Sequence, residues 1–362
     1  MKKRILLVSP SQLCVGGISK VLMTLVEELH EEYSFDVVTL CAEPGYYDDA
    51  FTACGGRIFR ISSFQYLKHK ILYPLSFFQI KSAMIRILKE NQYDAIHCHS
   101  GWQDAACQMA AVQMGLPVRI SHGHGTYIWE GRNLIMRFYS LFAKEIIRKY
   151  ATVRLACSSI AGDTLFSGAN YQNVLNPVDI SQYADIEKIP HEGINLLQIG
   201  YFCKLKNQLF TLSLLDHMLK KGMDVHLSLI GYPQEQEYLE KMHSMIAQHN
   251  LAEHVSFYPH DFDKRVAFAQ TDYCLLPSES EGLPLVALES QAAGVPCLMS
   301  SNISKDSDVG AGLFLPHDDQ EKWMAAIING MEVDAKRLTD NLQAISTQAY
   351  ANIFRNIYEQ KL

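Results

Sequence analysis

The 362 residues are 48% apolar, enough for two domains of ~100–200 residues with cores of their own, and no run reaches the ~18 apolar residues of a membrane span. Nine Cys are scattered without a Cys-x-x-Cys, which argues against a disulfide framework and for small core residues in a reducing, cytoplasmic compartment. The net charge of −7 gives no reason to expect a nucleic-acid partner, yet residues 57–154 hold 14 Lys and Arg against 5 Asp and Glu, a local excess suited to anionic lipid or phosphate.

The start, Lys2-Lys3-Arg4-Ile5-Leu6-Leu7-Val8, is basic and then apolar for about five residues, short of the ~7–15 of a secretion signal. It reads as a first strand. In chain order, apolar runs at 5–9, 35–40, 58–61, 95–97, 118–122 and 153–157 read as strands. Helical periodicity lies near 17–31, 80–91, 103–114 and 133–149. The second half repeats the plan, with strands at 194–199, 225–230, 255–258, 273–276 and 295–298 and helices near 206–220, 235–248, 285–293 and 319–331. Strands alternating with helices imply parallel sheets covered on both faces. The expected fold is α/β: two Rossmann-like, doubly wound domains over residues 1–183 and 184–348, facing across an interdomain cleft and joined through a polar stretch at 181–192. Residues 349–362 read as an amphipathic helix carrying Ala351, Ile353, Phe354, Ile357 and Tyr358. A dinucleotide oxidoreductase shares the alternation but needs Gly-x-Gly-x-x-Gly after an early strand. Pro10-Ser11-Gln12-Leu13-Cys14-Val15-Gly16-Gly17-Ile18 does not fit, and Gly310-Ala311-Gly312 lacks the third Gly.

The candidate residues fall at the ends of expected strands, where open α/β sheets bind ligands. Gly16-Gly17 opens the first helix and can bring backbone N–H groups to an anion, although an ordinary βα turn uses glycine as well. His97 and His99 share a strand face, but two ligands do not make a metal site, and no metal is expected. Arg119-Ile120-Ser121-His122-Gly123-His124-Gly125-Thr126 sets two histidines about a Gly at a strand end. His122 ranks first and His124 second, with a hydrogen-bond donor and a proton shuttle both open as roles. Lys206 stands at an expected helix N-terminus, where a cation is misplaced unless the two share an anion; a solvated surface lysine is the competing reading. Gly231 ends the strand at 225–230, with Tyr232-Pro233 beside it. In Pro277-Ser278-Glu279-Ser280-Glu281-Gly282-Leu283-Pro284-Leu285-Val286-Ala287-Leu288-Glu289, a buried strand gives way to a helix with Pro284 at its first position. Glu281 on the loop and Glu289 in the second helical turn then point near one spot, able to accept hydrogen bonds from sugar hydroxyls beside a phosphate on the loop N–H groups. Two solvated helix-end acids are the bland alternative. The stretches 64–89 and 129–148 interleave Lys and Arg with Tyr, Phe, Leu and Ile. They read as peripheral contacts with the inner leaflet or as ordinary helix faces with a buried stripe.

The segment from Pro277 to Glu289 resembles the E-x7-E signature of retaining, GT-B-fold glycosyltransferases of the family 4-like type, which includes many capsule and exopolysaccharide enzymes. The resemblance runs over nearly the whole chain. It implies that Glu281 contacts the donor sugar, with Gly282 and Leu283 beside it, and that Glu289 holds the ribose. It implies that Gly17 packs near the donor diphosphate, that His122 or His124 sits near the transferred sugar, and that Gly231 turns under the base. The family's Gly-Arg-Leu-x-x-x-Lys pattern places Lys206 on the diphosphate; here Tyr201 occupies the Arg position, and Lys204 is the candidate to supply that charge. Asn176-Pro177-Val178-Asp179 resembles the segment before the family's interdomain linker, and the last helix resembles the one that crosses back to the first domain. The first domain would then serve the acceptor and the second the nucleotide-sugar. The implied activity is transfer from a UDP-sugar to a lipid-linked saccharide, with no cofactor and no metal. A sugar-nucleotide epimerase on the same fold, and a non-catalytic, partner-dependent subunit of a synthesis complex, are the rivals.

Overall fold

A computed structural model describes residues 2–62, 75–125 and 134–360. The parts of the two basic aromatic stretches at 64–74 and 129–133 lie outside the described residues. The chain divides into two compact units, Met1–Pro177 with Thr347–Leu362, and Val178–Ser346; the expected change-overs were 183/184 and 348/349.

The first unit holds strands β1 (Arg4–Ser9), β2 (Ser34–Thr39), β3 (Ile58–Arg60), β4 (Ala95–Cys98), β5 (Val118–Gly123), β6 (Val153–Ala156) and β7 (Gln172–Asn173). They form one sheet in the order β3-β2-β1-β4-β5-β6-β7, parallel throughout. The run Ile5–Val8 is fully buried, as a strand covered on both faces must be. The order reverses between β1 and β4, so the loops after those strands leave in opposite directions and open a crevice at their carboxyl ends. The C-terminal helix Thr347–Glu359 belongs to this unit. Its Tyr350, Ala351, Phe354, Ile357 and Tyr358 are buried, at the spacing of one helical face. Lys3 Nζ bonds Glu359 at 2.9 Å and Arg355 pairs with Glu32, which fastens the end of the chain to its beginning.

The second unit holds β8 (Ile194–Ile199), β9 (Val225–Ile230), β10 (Val255–Tyr258), β11 (Tyr273–Leu276), β12 (Cys297–Ser300) and β13 (Gly312–Leu315). The order is β10-β9-β8-β11-β12-β13, again parallel. Leu196, Leu227, Leu229, Leu275 and Leu298 meet Leu212, Leu215, Met218 and Trp323 in its core. Here the order reverses between β8 and β11, whose register pairs Cys274 with Leu197.

Both sheets are doubly wound, as the alternation predicts. The differences have local causes. β7 is two exposed polar residues and leaves no apolar run to read. β13 starts at Gly312, inside a glycine pair that reads as a turn. The strand expected at 295–298 begins two residues later, because Val295 N–H is spent on Ser290 O at 2.9 Å and Pro296 has no N–H for a ladder. The helix expected from 206 begins at Gln208, since Lys204–Lys206 make a 3-10 turn and Asn207 is left-handed at φ 56°.

Candidate functional site

In the second unit the loops after β8 and β11 are tied together at the switch in strand order. Glu279 N–H donates to Leu205 O at 2.8 Å, and Asn207 Nδ2 to Pro277 O at 3.3 Å. This brings Lys206, from the β8 loop, onto Glu281, from the β11 loop: Lys206 Nζ donates to Glu281 Oε1, and Ser278 Oγ donates to the same oxygen at 2.9 Å. The two charged side chains are only 19% and 13% exposed, so this ion pair is far less screened than one on the surface. The 3-10 turn, not a helix N-terminus, holds Lys206, and the stem of its side chain lies over Gly200. Lys204 is exposed and does not join the pair. Gly282 and Leu283 are buried in the same loop.

Pro284 is the cap of helix Leu285–Ala292, one position before the expected one. Glu289 lies in the second turn and is buried. Its carboxylate takes Lys264 Nζ at 2.6 Å and stands beside the Tyr183 hydroxyl, whose pKa is pushed far up, by burial first and by Glu289 next. The two acids therefore do not share a partner: each has a cation of its own. Sequence reading found Glu281, Glu289 and Lys206 and missed Lys264 and Tyr183, which no motif marks; Asp263, capping helix Lys264–Ala269, is the only nearby signal.

Where the family-like pattern has Arg, the Tyr201 ring meets Tyr232 edge-on at 4.8 Å, and Tyr232 meets His260 at 5.2 Å. These rings follow β8, β9 and β10 in turn, forming an aromatic row at one end of the sheet. Gly231 makes it possible: a Cβ there would lie 2.1 Å from Gly200 O, so only glycine lets the loop after β9 approach the loop after β8.

In the first unit Gly17 is the first residue of helix Gly17–Leu29, which has neither a side-chain cap nor an acid in its first turn. β4 and β5 lie side by side and carry four histidines together. His97 Nε2 is 3.4 Å from His122 Nδ1, and His99 Nδ1 is 2.8 Å from His124 Nε2. His97 Nδ1 meets Tyr358 Oη of the C-terminal helix at 2.9 Å, and the His97 ring stacks on Phe354. Burial drives all four imidazoles toward the neutral form. In His124 the pKa falls to about 4, against a hydrogen bond with Asn176 that works to raise it. His122, ranked first from sequence, is fully buried, whereas His124 is half-buried. The two rings thus differ in access, the His122 ring lying 6.1 Å from that of Phe354 in the C-terminal helix.

Residues 16–177 match the family model of the Glycosyl transferase 4-like domain, and residues 179–337 that of Glycosyl transferases group 1. EpsF of Bacillus subtilis (strain 168), named as a glycosyltransferase, is 29% identical over 82% of this chain and 79% of its own. The capsular polysaccharide biosynthesis glycosyltransferase CapH of Staphylococcus aureus is 24% identical over 81% and 80%. The UDP-Gal:alpha-D-GlcNAc-diphosphoundecaprenol alpha-1,3-galactosyltransferase of Escherichia coli is 23% identical over 79% and 76%. Among solved structures, Anabaena HepE in complex with UDP superposes with a TM-score of 0.77 at 15% identity, over 98% of this chain and 99% of that one. This likeness shows the fold, GT-B.

Proposed function

Because this chain is a glycosyltransferase, a 4-like domain followed by a group 1 domain, we propose that it moves a sugar from a nucleotide diphosphate, a UDP-sugar, onto a lipid-linked saccharide. Transfer proceeds with retention at the anomeric carbon, in the synthesis of a capsule, an exopolysaccharide or a related cell-surface glycan. The observation that carries the reading is the Lys206–Glu281 pair at the strand switch of the second unit. In the protein alone the two charges satisfy one another. A donor diphosphate competes for Lys206 and frees the Glu281 carboxylate for sugar hydroxyls. Lys206 then stabilises the negative charge that grows on the departing diphosphate, so this chemistry needs no metal there. Glu289, held by Lys264 and Tyr183, is assigned to the ribose, and the row Tyr201, Tyr232, His260 to the base. The UDP in the HepE structure and the diphosphoundecaprenol acceptor in the name of the Escherichia coli relative support the two substrates.

A lipid-linked acceptor places the enzyme at the cytoplasmic face of a membrane. Among the described residues no helix is long and apolar enough to cross one. The first unit instead exposes Phe78, Leu134, Phe138, Leu141 and Phe142, and Phe78, Phe138 and Phe142 line a groove of about 400 Å³ with Phe77, Ile135 and Tyr139. These residues lie on helices Ser76–Glu90 and Leu134–Tyr150, which also carry Lys81 and Arg137, and the combination supports peripheral contact with an anionic leaflet.

Thermal unfolding with saturating UDP, GDP, ADP or CMP tests the donor. UDP at ~100 times its dissociation constant adds about 2.7 kcal/mol to stability and is expected to raise Tm alone among the four. A shift with another nucleotide replaces the donor class, and no shift with any of them removes the reading.

A further inference from the structure

In the histidine cluster of the first unit, the resemblance gives a sugar-side place to His122 or His124 and leaves His97 and His99 without a role. One ring nitrogen from each of His97, His99 and His122 lies within 4.8 Å of the other two. His97 Nε2 and His122 Nδ1 are 3.4 Å apart. That is long for a hydrogen bond, but it matches the edge, about 3.3–3.4 Å, of a tetrahedral ion with metal–nitrogen bonds of ~2.0–2.1 Å. Drawing in the remaining corner takes a movement of about 1–1.5 Å to reach the same geometry. His99 Nε2 is buried without a hydrogen-bond partner, and the residue is 2% exposed. Buried polar atoms are rarely left so.

In two of the three, the opposite ring nitrogen is engaged as in a metal-bound histidine, while His122 Nε2 is buried without a partner. His97 Nδ1 meets Tyr358 Oη at 2.9 Å and His99 Nδ1 meets His124 Nε2 at 2.8 Å. A partner on the second nitrogen fixes the ring and the tautomer of a ligating imidazole. Three imidazoles without a carboxylate select a first-row transition metal over magnesium or calcium.

We propose that His97, His99 and His122 bind one divalent transition-metal ion of the zinc class inside the first unit, with Tyr358 and His124 as positioning residues. The ion joins β4 to β5 and, through Tyr358, ties the C-terminal helix to them. Its ligands belong to the first unit and the Lys206–Glu281 loops to the second, so metal binding and the donor reading are tested separately.

The test uses the full chain, stripped with a chelator and then titrated with Zn2+ and, as a spectroscopic probe, with Co2+. Binding of one ion per chain is expected, with visible ligand-field bands of tetrahedral cobalt and a rise in Tm. His99→Gln should abolish it, while His317→Ala, altering a half-exposed histidine of the other unit, should bind as the parent does. Tyr358→Phe keeps the ring and removes only the partner of His97. It should weaken zinc binding about 10- to 100-fold, and it provides the readout if His99→Gln does not fold. A folded parent protein that binds neither ion at one per chain overturns the proposal. So does binding that survives both His99→Gln and Tyr358→Phe unchanged.

Discussion

Lys206 and Glu281 hold one another in a partly enclosed loop, and the consequence for substitution is asymmetric. Removing the cation leaves a carboxylate that repels a diphosphate; removing the acid leaves a cation that still attracts one. Lys206→Ala is therefore expected to lower turnover by about 10²–10³, the range for losing one group that stabilises developing negative charge. The far-ultraviolet circular dichroism should stay unchanged, because the side chain is not in the core. Near-normal turnover in the purified variant would remove Lys206 from the site. At this scale the sequence was legible where a residue sits in a motif and opaque where its partner comes from elsewhere in the chain. Glu289 could be named from the spacing of two acids; Lys264, 25 positions away and bonded to it, could not. His122 and His124 differ by two positions, and only the structure tells the buried ring, packed near His97 and Phe354, from the half-buried one just past the strand.

Among elements, the loop endings of β8 and β9 show how little freedom the second unit has near its candidate site. Gly231→Ala puts a Cβ 2.1 Å from Gly200 O. Backbone stands on both sides of that clash, so no rotamer relieves it. A loss of about 1–3 kcal/mol is expected, the usual cost of overpacking, visible as a lower Tm, with nucleotide affinity falling as the Tyr201 and Tyr232 rings part. The C-terminal helix makes the complementary case. Phe354 is fully buried, with His97 at 5.0 Å, Tyr350 at 4.8 Å and Tyr358 at 5.7 Å between ring centres. Phe354→Ala should cost about 3–5 kcal/mol. Hydrogen exchange should locate that loss in Met1–Pro177 with Thr347–Leu362 and leave β8–β13 protected as before. Equal loss of protection in both units would contradict the division.

On the scale of the whole molecule, one chain makes two doubly wound units and spends its last helix on the first of them. The apolar groove of the first unit and the lysines and arginines of its helices belong to a surface property, which is read by partition rather than by turnover. Binding to vesicles of anionic lipid at low salt is expected, falling as salt screens the charge within a Debye length of ~10 Å at 0.1 M. Phe138→Ser together with Leu141→Ser, at side chains 71% and 56% exposed, should reduce the bound fraction several-fold with little change in Tm. Equal binding by the double variant would assign those residues to some other contact.

The sequence by itself determined the class of fold, because alternating apolar runs and helical periods leave few alternatives to parallel sheets covered on both faces. It also marked the loop from Pro277 to Glu289 and the lysine at 206, because short-range chemistry (a strand end, a proline cap, a misplaced cation) is written in adjacent residues. Tertiary structure alone decided which side chains meet. Strand order brought the β8 and β11 loops together over some 75 positions of sequence and set β4 beside β5, so that a His-x-His on each became one cluster of four. The return of the last helix closed that cluster with Tyr358, 261 positions from its partner His97. Such contacts depend on the order in which strands join a sheet, and that order is settled by packing summed over the whole unit rather than by any local pattern.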